Sequence, residues 1–219
     1  MSVRERRDRE RERRRDSILD AAERVFFAAG LSATVEEIAA EAELAKGTVY
    51  AYFPSKEEIY MTLVDRALTV LHAEIAAAVR EGASPDENVR RIAATYRIFA
   101  ERYPHYFKLL NETSYPIIRS SISDRVLDAV YRHSSEIWAV ITAVLQEGIE
   151  RGLFRGDIPA FHMAVLLWTN ASGLLRLARM LAVPNIWQGK SGPFSFDSLD
   201  IPSLFDAANE LLLEAFSRR

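Results

Sequence analysis

One stretch, TVEEIAAEAELAKGTVYAYFPSKEE from Thr34 to Glu58, constrains the fold of this chain more than any other. Thr34 followed by Glu37 forms a T-x-x-E capping box, which closes the first free amides of a helix predicted over Val35 to Ala42. The next three residues are too few for anything but a turn, and the helical pattern restarts at Lys46. Two short helices that meet at such a turn form a helix-turn-helix.

A third helix is predicted to begin near Lys56, immediately after this motif. Pro54 disfavours a helical conformation at the residue before it, and Ser55 is a good N-terminal cap. Glu57 and Glu58 then lie in the first turn, where negative charge is favourable. The motif therefore belongs to a small head that ends near residue 55.

These residues resemble the signature of the TetR family of bacterial transcription regulators, which runs roughly T-x-x-x-I-A-x-x-A-G-[VL]-[SA]-K-G-T-[LV]-Y-x-[YH]-F-x-[SN]-K-x-x-L. The matching positions, in register, are Thr34, Ile38, Ala39, Ala42, Leu44, Ala45, Lys46, Gly47, Thr48, Val49, Tyr50, Tyr52, Phe53, Ser55 and Lys56. Glu43 departs from the pattern, since glycine often stands there, and a left-handed turn conformation at Glu43 would cost about 1 kcal/mol or more. Ala45 also departs, because a serine often caps the reading helix at that position.

The resemblance implies that the second helix of the motif reads DNA and that Tyr50, Lys56 and Tyr52 contact phosphates. Residues two apart on a helix cannot share one buried face, so at least one of the two tyrosines should be exposed. The plainer alternative is that both are core aromatics.

The start of the same helix carries further candidates for DNA contact. Lys46 stands at its tip, Gly47 permits close approach, and Thr48 can hydrogen-bond a base or a phosphate. A solvated charge is the alternative interpretation of Lys46. Thr34 is first a cap, and its backbone is a candidate for a phosphate contact.

Residues 1–15 form an arginine-rich arm, with eight arginines and four acidic residues, a local charge of +4. Two interpretations stay open: a solvated, frayed or mixed-charge helical arm, or arginines that reach DNA phosphates or the minor groove beside the head. From Asp16 the pattern becomes an amphipathic stripe that ends at Gly30, a good C-terminal cap. This stripe predicts the first helix of the head.

The rest of the chain shows helical spacing and no strand alternation. Helices are predicted over 56–82, 85–103, 124–151 and 159–182 and from Pro202 onward, with a short segment from Pro104, an irregular stretch at 113–123 and a loop at 183–201. The predicted fold is therefore all-α, with about nine helices. A three-helix DNA-binding head occupies residues 1–55, and residues 56–219 form a helical body for which the resemblance implies ligand binding and dimerisation.

The helices predicted over 124–151 and 159–182 have more apolar surface than one head and one flanking layer can cover. The family is known for dimers built as a four-helix bundle from such a pair. The chain is therefore expected to form a homodimer.

Many aromatic residues of the body are core residues by default, but their number also suits a pocket for a small, mainly apolar effector. The aromatic candidates are Tyr96, Phe99, Tyr103, Phe107, Trp138 and Trp168. The candidate polar anchors are Asn111, Tyr115, Asn170 and Ser172.

Composition argues against several other classes. Cysteine is absent, and the four histidines lack a second ligand at helical spacing, so neither a metal site nor a cofactor is expected. No Ser/His/Asp set can be assembled, so the chain is not expected to be an enzyme. No apolar run approaches the ~20 residues of a membrane span, and a cytoplasmic protein without membrane contact is expected. The net charge of -3 means that any DNA contact must be local.

The expected function is a TetR-like repressor that binds a near-palindromic double-stranded DNA operator as a dimer. A mainly apolar effector is expected to release it by acting through the long helix that starts at Lys56. The alternative is a helical protein-interaction or lipid-binding module without specific DNA binding.

Overall fold

A computed structural model describes residues 3–111, 119–182 and 199–217. Within these residues the chain is all-α, as predicted, and it contains no strand, only an isolated bridge between Phe154 and Ser217. The helices are α1 (Val3–Ala29), α2 (Val35–Glu41), α3 (Lys46–Tyr52), α4 (Lys56–Ala78), α5 (Pro85–Arg102), α6 (Pro104–Asn111), α7 (Asp124–Glu150), α8 (Ala160–Leu181) and α9 (Ile201–Phe216). None of the described helices combines the length and hydrophobicity needed to cross a bilayer.

Two helix ends differ from the predicted ones by more than one residue. The first helix does not begin at Asp16: α1 is continuous from Val3, so the arginine-rich arm is itself helical. The helix α4 ends at Ala78 rather than at Gly82, and the side chain of Asn88 bonds both the amide and the carbonyl of Arg80 at 3.0 and 3.1 Å. These bonds replace the helical partners that Arg80 would otherwise have. Most of the predicted loop at 183–201 lies outside the described residues.

Packing divides the chain into two compact units. The first combines Met1–Val70 with Pro104–His133, and the second combines Leu71–Tyr103 with Ser134–Arg219. The helices α4 and α7 therefore each contribute residues to both units. The predicted division separates a DNA-binding head of residues 1–55 from an effector-binding body of residues 56–219. It is a division by function rather than by packing, and it stays a prediction.

The core of the first unit is built from the inner faces of α1 to α4. Its most buried members include Ile18, Phe26, Ile38, Val49, Phe53, Ile59 and Leu63. Three residues from later in the sequence, Leu109, Ile122 and Val126, complete the same core. The Tyr60 hydroxyl donates to the Leu109 carbonyl at 3.1 Å, which adds a polar link inside it. Each apolar side chain buried here contributes about 1.5–3 kcal/mol to stability.

The second unit is held by α5, α8 and α9, which pack against one another. Its most buried side chains include Phe99, Met163, Phe205 and Phe216. The turn after α7 folds the ring of Phe154 directly over Gly148, at a place where a side chain on residue 148 would overlap the ring. Gly148 is therefore needed for close packing, not for an unusual backbone conformation.

Candidate nucleic-acid interface

The predicted capping box at the start of α2 is present. The Thr34 amide donates to Glu37 Oε2 at 2.7 Å, and the Glu37 amide donates to Thr34 Oγ1 at 3.2 Å. The hydrogen bond from the Thr34 amide, followed by the one from its hydroxyl, holds the pKa of Glu37 below its ordinary value. Since Glu37 occupies the Thr34 amide, a phosphate could use that group only if the Glu37 carboxylate moved aside.

The turn between α2 and α3 is tight and left-handed at one residue. Glu43 has φ of 54°, the conformation that glycine would adopt without a steric cost. The amides of Glu43 and Leu44 bond back to Ala40 and Ala39 at 3.1 and 2.8 Å, which satisfies the last carbonyls of α2. This turn fixes the direction in which α3 leaves.

The helix α3 begins without a side-chain cap, as the alanine at position 45 predicts. The Ala45 carbonyl accepts from Thr48 at 2.8 Å, while the Lys46 ammonium pairs with the Glu36 carboxylate and lies 5.7 Å from the centre of the Tyr50 ring. The hydrogen bond to Glu36 raises the pKa of Lys46 and lowers that of Glu36. Lys46 is thus a fully charged cation at the tip of α3.

Two buried residues decide which face of α3 points outward. Val49 is fully buried and Phe53 nearly so, and they lie one turn apart on the inner side. Tyr50, 43% exposed, therefore faces solvent, and Tyr52 packs partly against the core, so one of the two tyrosines is exposed as predicted. An added Cβ on Gly47 would meet no atom within 4 Å.

The last predicted phosphate contact, Lys56, has a bond within the protein. Its ammonium donates to the Leu31 carbonyl at 2.9 Å and so ties the start of α4 to the short 3-10 turn Gly30–Ser32. The predicted cap is present beside it, since the Glu58 amide donates to Ser55 Oγ at 2.9 Å. Lys56 is half-buried, which leaves it less free to reach a phosphate than Lys46.

Sequence reasoning missed three charged side chains near this face. Glu36 is the partner of Lys46, and Arg15 lies with its Cζ 5.0 Å from the centre of the Phe53 ring. Glu58 is buried and accepts from the Ser123 amide and hydroxyl at 2.6 and 2.7 Å. Position in a first helical turn was the only signal for the two glutamates, and it does not reveal these partners.

The predicted effector residues fall into two groups. In the second unit, the Tyr96 hydroxyl and Ser172 Oγ are 2.9 Å apart, Phe99 and Tyr103 have ring centres 5.4 Å apart, and Trp138 and Trp168 have ring centres 5.7 Å apart. The amide nitrogen of Asn170 is buried there without a hydrogen-bond partner in the described part of the chain.

The remaining effector candidates do not join that group. Phe107 is buried in the first unit, and the Asn111 side chain donates to the Phe107 carbonyl at 3.0 Å. Tyr115 lies outside the described residues. Residues 3–111, 119–182 and 199–217 contain no group of three or more His, Asp or Glu side chains suited to a metal ion.

Two sequence profiles match the chain. The profile described as "Bacterial regulatory proteins, tetR family" matches residues 18–61, from the buried part of α1 to the start of α4. The profile described as "Tetracyclin repressor-like, C-terminal domain" matches residues 89–183. The chain belongs to the TetR family. This is a family of transcriptional regulators that bind DNA through a helix-turn-helix, and its members are not enzymes.

Individual relatives of this TetR-family chain are distant. The transcriptional repressor NicS from Pseudomonas putida is 25% identical over 157 residues, which cover 71% of this chain and 73% of NicS. The transcriptional repressor KstR2 from Mycobacterium tuberculosis is 29% identical over 147 residues, which cover 66% of this chain and 71% of KstR2. The crystal structure of FadR from Bacillus subtilis in complex with stearoyl-CoA superposes with a TM-score of 0.68 at 18% identity, covering 91% of this chain and 98% of that one. At that identity, the likeness shows the fold alone.

Proposed function

We propose that this TetR-family regulator is a repressor, which binds a near-palindromic operator as a homodimer and is released by a mainly apolar small molecule. Its DNA-binding head would be residues 1–55, and residues 56–219 would bind effector and partner. The observation that carries DNA binding is the outward face of α3, where Lys46, the open backbone at Gly47 and the exposed Tyr50 stand together. A cation, a backbone amide and a hydroxyl are groups that commonly donate hydrogen bonds to phosphate oxygens. The proposed site of action is the cytoplasm, where bacterial DNA lies.

The apolar surface of α8 supports the homodimer. Phe161, Leu166, Trp168 and Met180 are all exposed large apolar side chains of this one helix. At 100° per residue they form two rows on its solvent-facing side, Phe161 with Trp168 and Leu166 with Met180, and apolar surface of this extent is favourable when another surface covers it. A single small head also buries too little surface for tight binding to DNA, and two heads related by a twofold axis match a palindrome.

The polar pair of Tyr96 and Ser172 and the unpartnered amide of Asn170 support an effector site in the second unit. Tyr96 and Ser172 are both buried, and the second unit also contains the rings of Phe99 and Tyr103, a mixture of aromatic and polar groups that is usual in a site for a mainly apolar ligand. To weaken operator affinity a hundredfold, the effector must favour the non-binding state by about 2.7 kcal/mol. Differential burial of roughly 100 Å² of its apolar surface would suffice.

A substitution that leaves the fold intact tests the DNA-binding assignment. Duplexes are first enriched from a random library by the wild-type chain, and affinity for them is then measured by fluorescence anisotropy. Gly47→Ala places a methyl group in open space, so helix stability should stay equal or rise by up to about 1 kcal/mol. Because the methyl group occupies the space that a phosphate would use, affinity should fall at least about tenfold, a loss of about 1.4 kcal/mol.

The matched control is Gly156→Ala, where the nearest atom to the new Cβ is Ile149 Cγ2 at 3.6 Å, an ordinary contact. This variant should bind the enriched duplexes like the wild type. If Gly47→Ala bound the enriched duplexes with unchanged affinity, a close approach of the DNA backbone to Gly47 would be excluded. A wild-type chain that enriches no duplex at all would overturn the DNA-binding function.

A further inference from the structure

The helical conformation of the arginine-rich arm sorts its charges onto different faces. At 3.6 residues per turn, a single stripe contains Arg4, Arg7, Arg11 and Arg14, which we name the arginine stripe. The acidic residues Glu5, Asp8 and Glu12 share a different face. Continued along α1, the arginine stripe reaches Ile18 and Ala22, which are fully buried in the first unit.

The arginine stripe is not explained by the stability of the helix. Like charges three or four residues apart destabilise a helix by a few tenths of a kcal/mol per pair, and the stripe contains several such pairs. Arg14 lies 3.5 Å from Glu10, but Arg4, Arg7 and Arg11 form no hydrogen bond or ion pair within the described part of the chain. A helix stabilised only by its own charges would alternate their signs on each face.

The arm has the reach and the position of a DNA-binding element. Arg4 precedes Ile18 by fourteen positions, a length of about 21 Å in a helix, and no residue between them is buried. Its base lies at the reading helix, because the Arg15 guanidinium stacks 5.0 Å from the Phe53 ring and Phe53 directly follows α3. The arginine stripe continues the side of α1 whose Ile18 and Ala22 lie in the same core as Ile38 and Val49 of the helix-turn-helix.

We propose that the arginine stripe is a second DNA-binding surface, which follows the phosphates of the duplex that flanks the operator core. The stripe offers a row of cations about 5 Å apart, and duplex DNA carries one negative charge per about 1.7 Å of its axis. The inference rests on the proposed function, since the head must first place the chain on its operator. The arm then extends the contact along the backbone without reading sequence.

Two triple variants with the same spacing and the same loss of charge test this surface. The stripe variant carries Arg4→Gln, Arg7→Gln and Arg11→Gln, and the control variant carries Arg6→Gln, Arg9→Gln and Arg13→Gln. Glutamine is as good a helix former as arginine, and circular dichroism checks that both arms remain helical. The probes are the duplexes enriched by the wild type, either trimmed to the core or extended by about one and a half helical turns on each side.

On the extended duplex, the stripe variant should bind more weakly, and the slope of log affinity against log salt should flatten by up to about five units, because the two arms of the proposed dimer together lose six arginines. On the trimmed duplex it should bind like the wild type. The control variant should lose less than a third of that slope on the extended duplex.

Three results would overturn the proposal. Equal losses in the two variants would show only diffuse attraction by net charge, and a loss independent of duplex length would exclude contact with the flanks. Weakened binding to vesicles of mixed neutral and anionic phospholipid, with unchanged DNA affinity, would assign the stripe to a membrane surface. Failure of the proposed function is separately visible, because the wild type would then enrich no duplex.

Discussion

At the scale of single residues, the cation at the tip of α3 is shared between two neighbours. Lys46 pairs with Glu36 on α2 and lies over the ring of Tyr50 on its own helix. Both Lys46 and Glu36 are exposed, so the pair contributes little to stability. Its effect is on the availability of the ammonium group, because a phosphate must compete with the Glu36 carboxylate for it.

Replacing Glu36 by Gln is expected to strengthen DNA binding. The substitution removes a negative charge next to the proposed phosphate contact and frees Lys46 in both protomers of the proposed dimer, so affinity should rise several-fold at low salt and the salt slope should steepen by up to about two units. Anisotropy titrations over a salt series measure both quantities. Glu41→Gln is the matched control, because Glu41 also lies on α2 but pairs with Arg24 at 2.6 Å. Equal gains in the two variants would show that only net charge matters.

Residue roles that depend on near neighbours could be predicted from the sequence, while those that depend on distant ones could not. The caps at Thr34 and Ser55 each act on an amide three positions ahead, so the spacing alone shows them. The bond between Lys56 and the Leu31 carbonyl spans 25 positions, and the bonds between Glu58 and Ser123 span 65. Only the fold brings such groups together.

At the scale of one element, the capping box should make the stability of α2 dependent on pH. Thr34→Ala should lower the free energy of unfolding by about 1 kcal/mol, whereas Thr34→Ser should keep it. The pKa of Glu37 is lowered in the folded state, so its contribution is present above the ordinary glutamate pKa of about 4.3 and is lost as pH falls through the lowered value. Urea unfolding of the wild type and of Glu37→Gln, at neutral pH and at about pH 3, measures this. A wild type no more sensitive to acid than Glu37→Gln would exclude the linkage.

The end of α7 offers a second element-scale prediction. Gly148→Ala should destabilise the second unit by about 1–3 kcal/mol, because the new methyl group would overlap the buried ring of Phe154. Gly156→Ala, in the same turn, should cost less than about 0.5 kcal/mol. Thermal and urea unfolding of the two variants measure the difference. Equal stability would mean that Phe154 moves aside at no cost.

Helix types were predictable from apolar spacing, and helix ends were less so. The arm before Asp16 has no apolar stripe, so its sequence did not decide whether it is frayed or helical, and the structure shows that α1 starts at Val3. The helix α4 ends early, at Ala78, and the side chain of Asn88 on α5 bonds the backbone of Arg80 just beyond that end. A tertiary contact of this kind overrides local spacing, which favours a helix up to Gly82.

At the scale of the whole molecule, the exposed apolar face of α8 leads to a prediction about assembly. The chain should sediment as a dimer at micromolar concentration without DNA, and Leu166→Glu should shift it toward monomer, because the 48% exposed Leu166 would lie in the proposed interface. Leu211→Glu is the control, since Leu211 is 66% exposed on α9, outside that face. Monomeric wild type, or equal effects of both substitutions, would contradict the proposed dimer.

The division into two units was not visible in the sequence. Periodicity places α6 and the start of α7 in the body, because they follow a long helix and a linker. Leu109 of α6, Ile122 just before α7 and Val126 of α7 instead lie in the same core as Ile38 and Val49. Apolar spacing shows that a face is buried, but it does not show against which partner.

Because residues 104–133 pack in the first unit, they limit which chimeras can be made between this regulator and others. A chimera that transplants only residues 1–70 would leave Tyr60 without its bond to Leu109 and would open the core where Ile122 and Val126 belong. Each missing apolar side chain costs about 1.5–3 kcal/mol, so the loss would consume much of the roughly 5–15 kcal/mol that holds a typical domain together. The transferable module of this regulator is therefore two separated segments of sequence, not one.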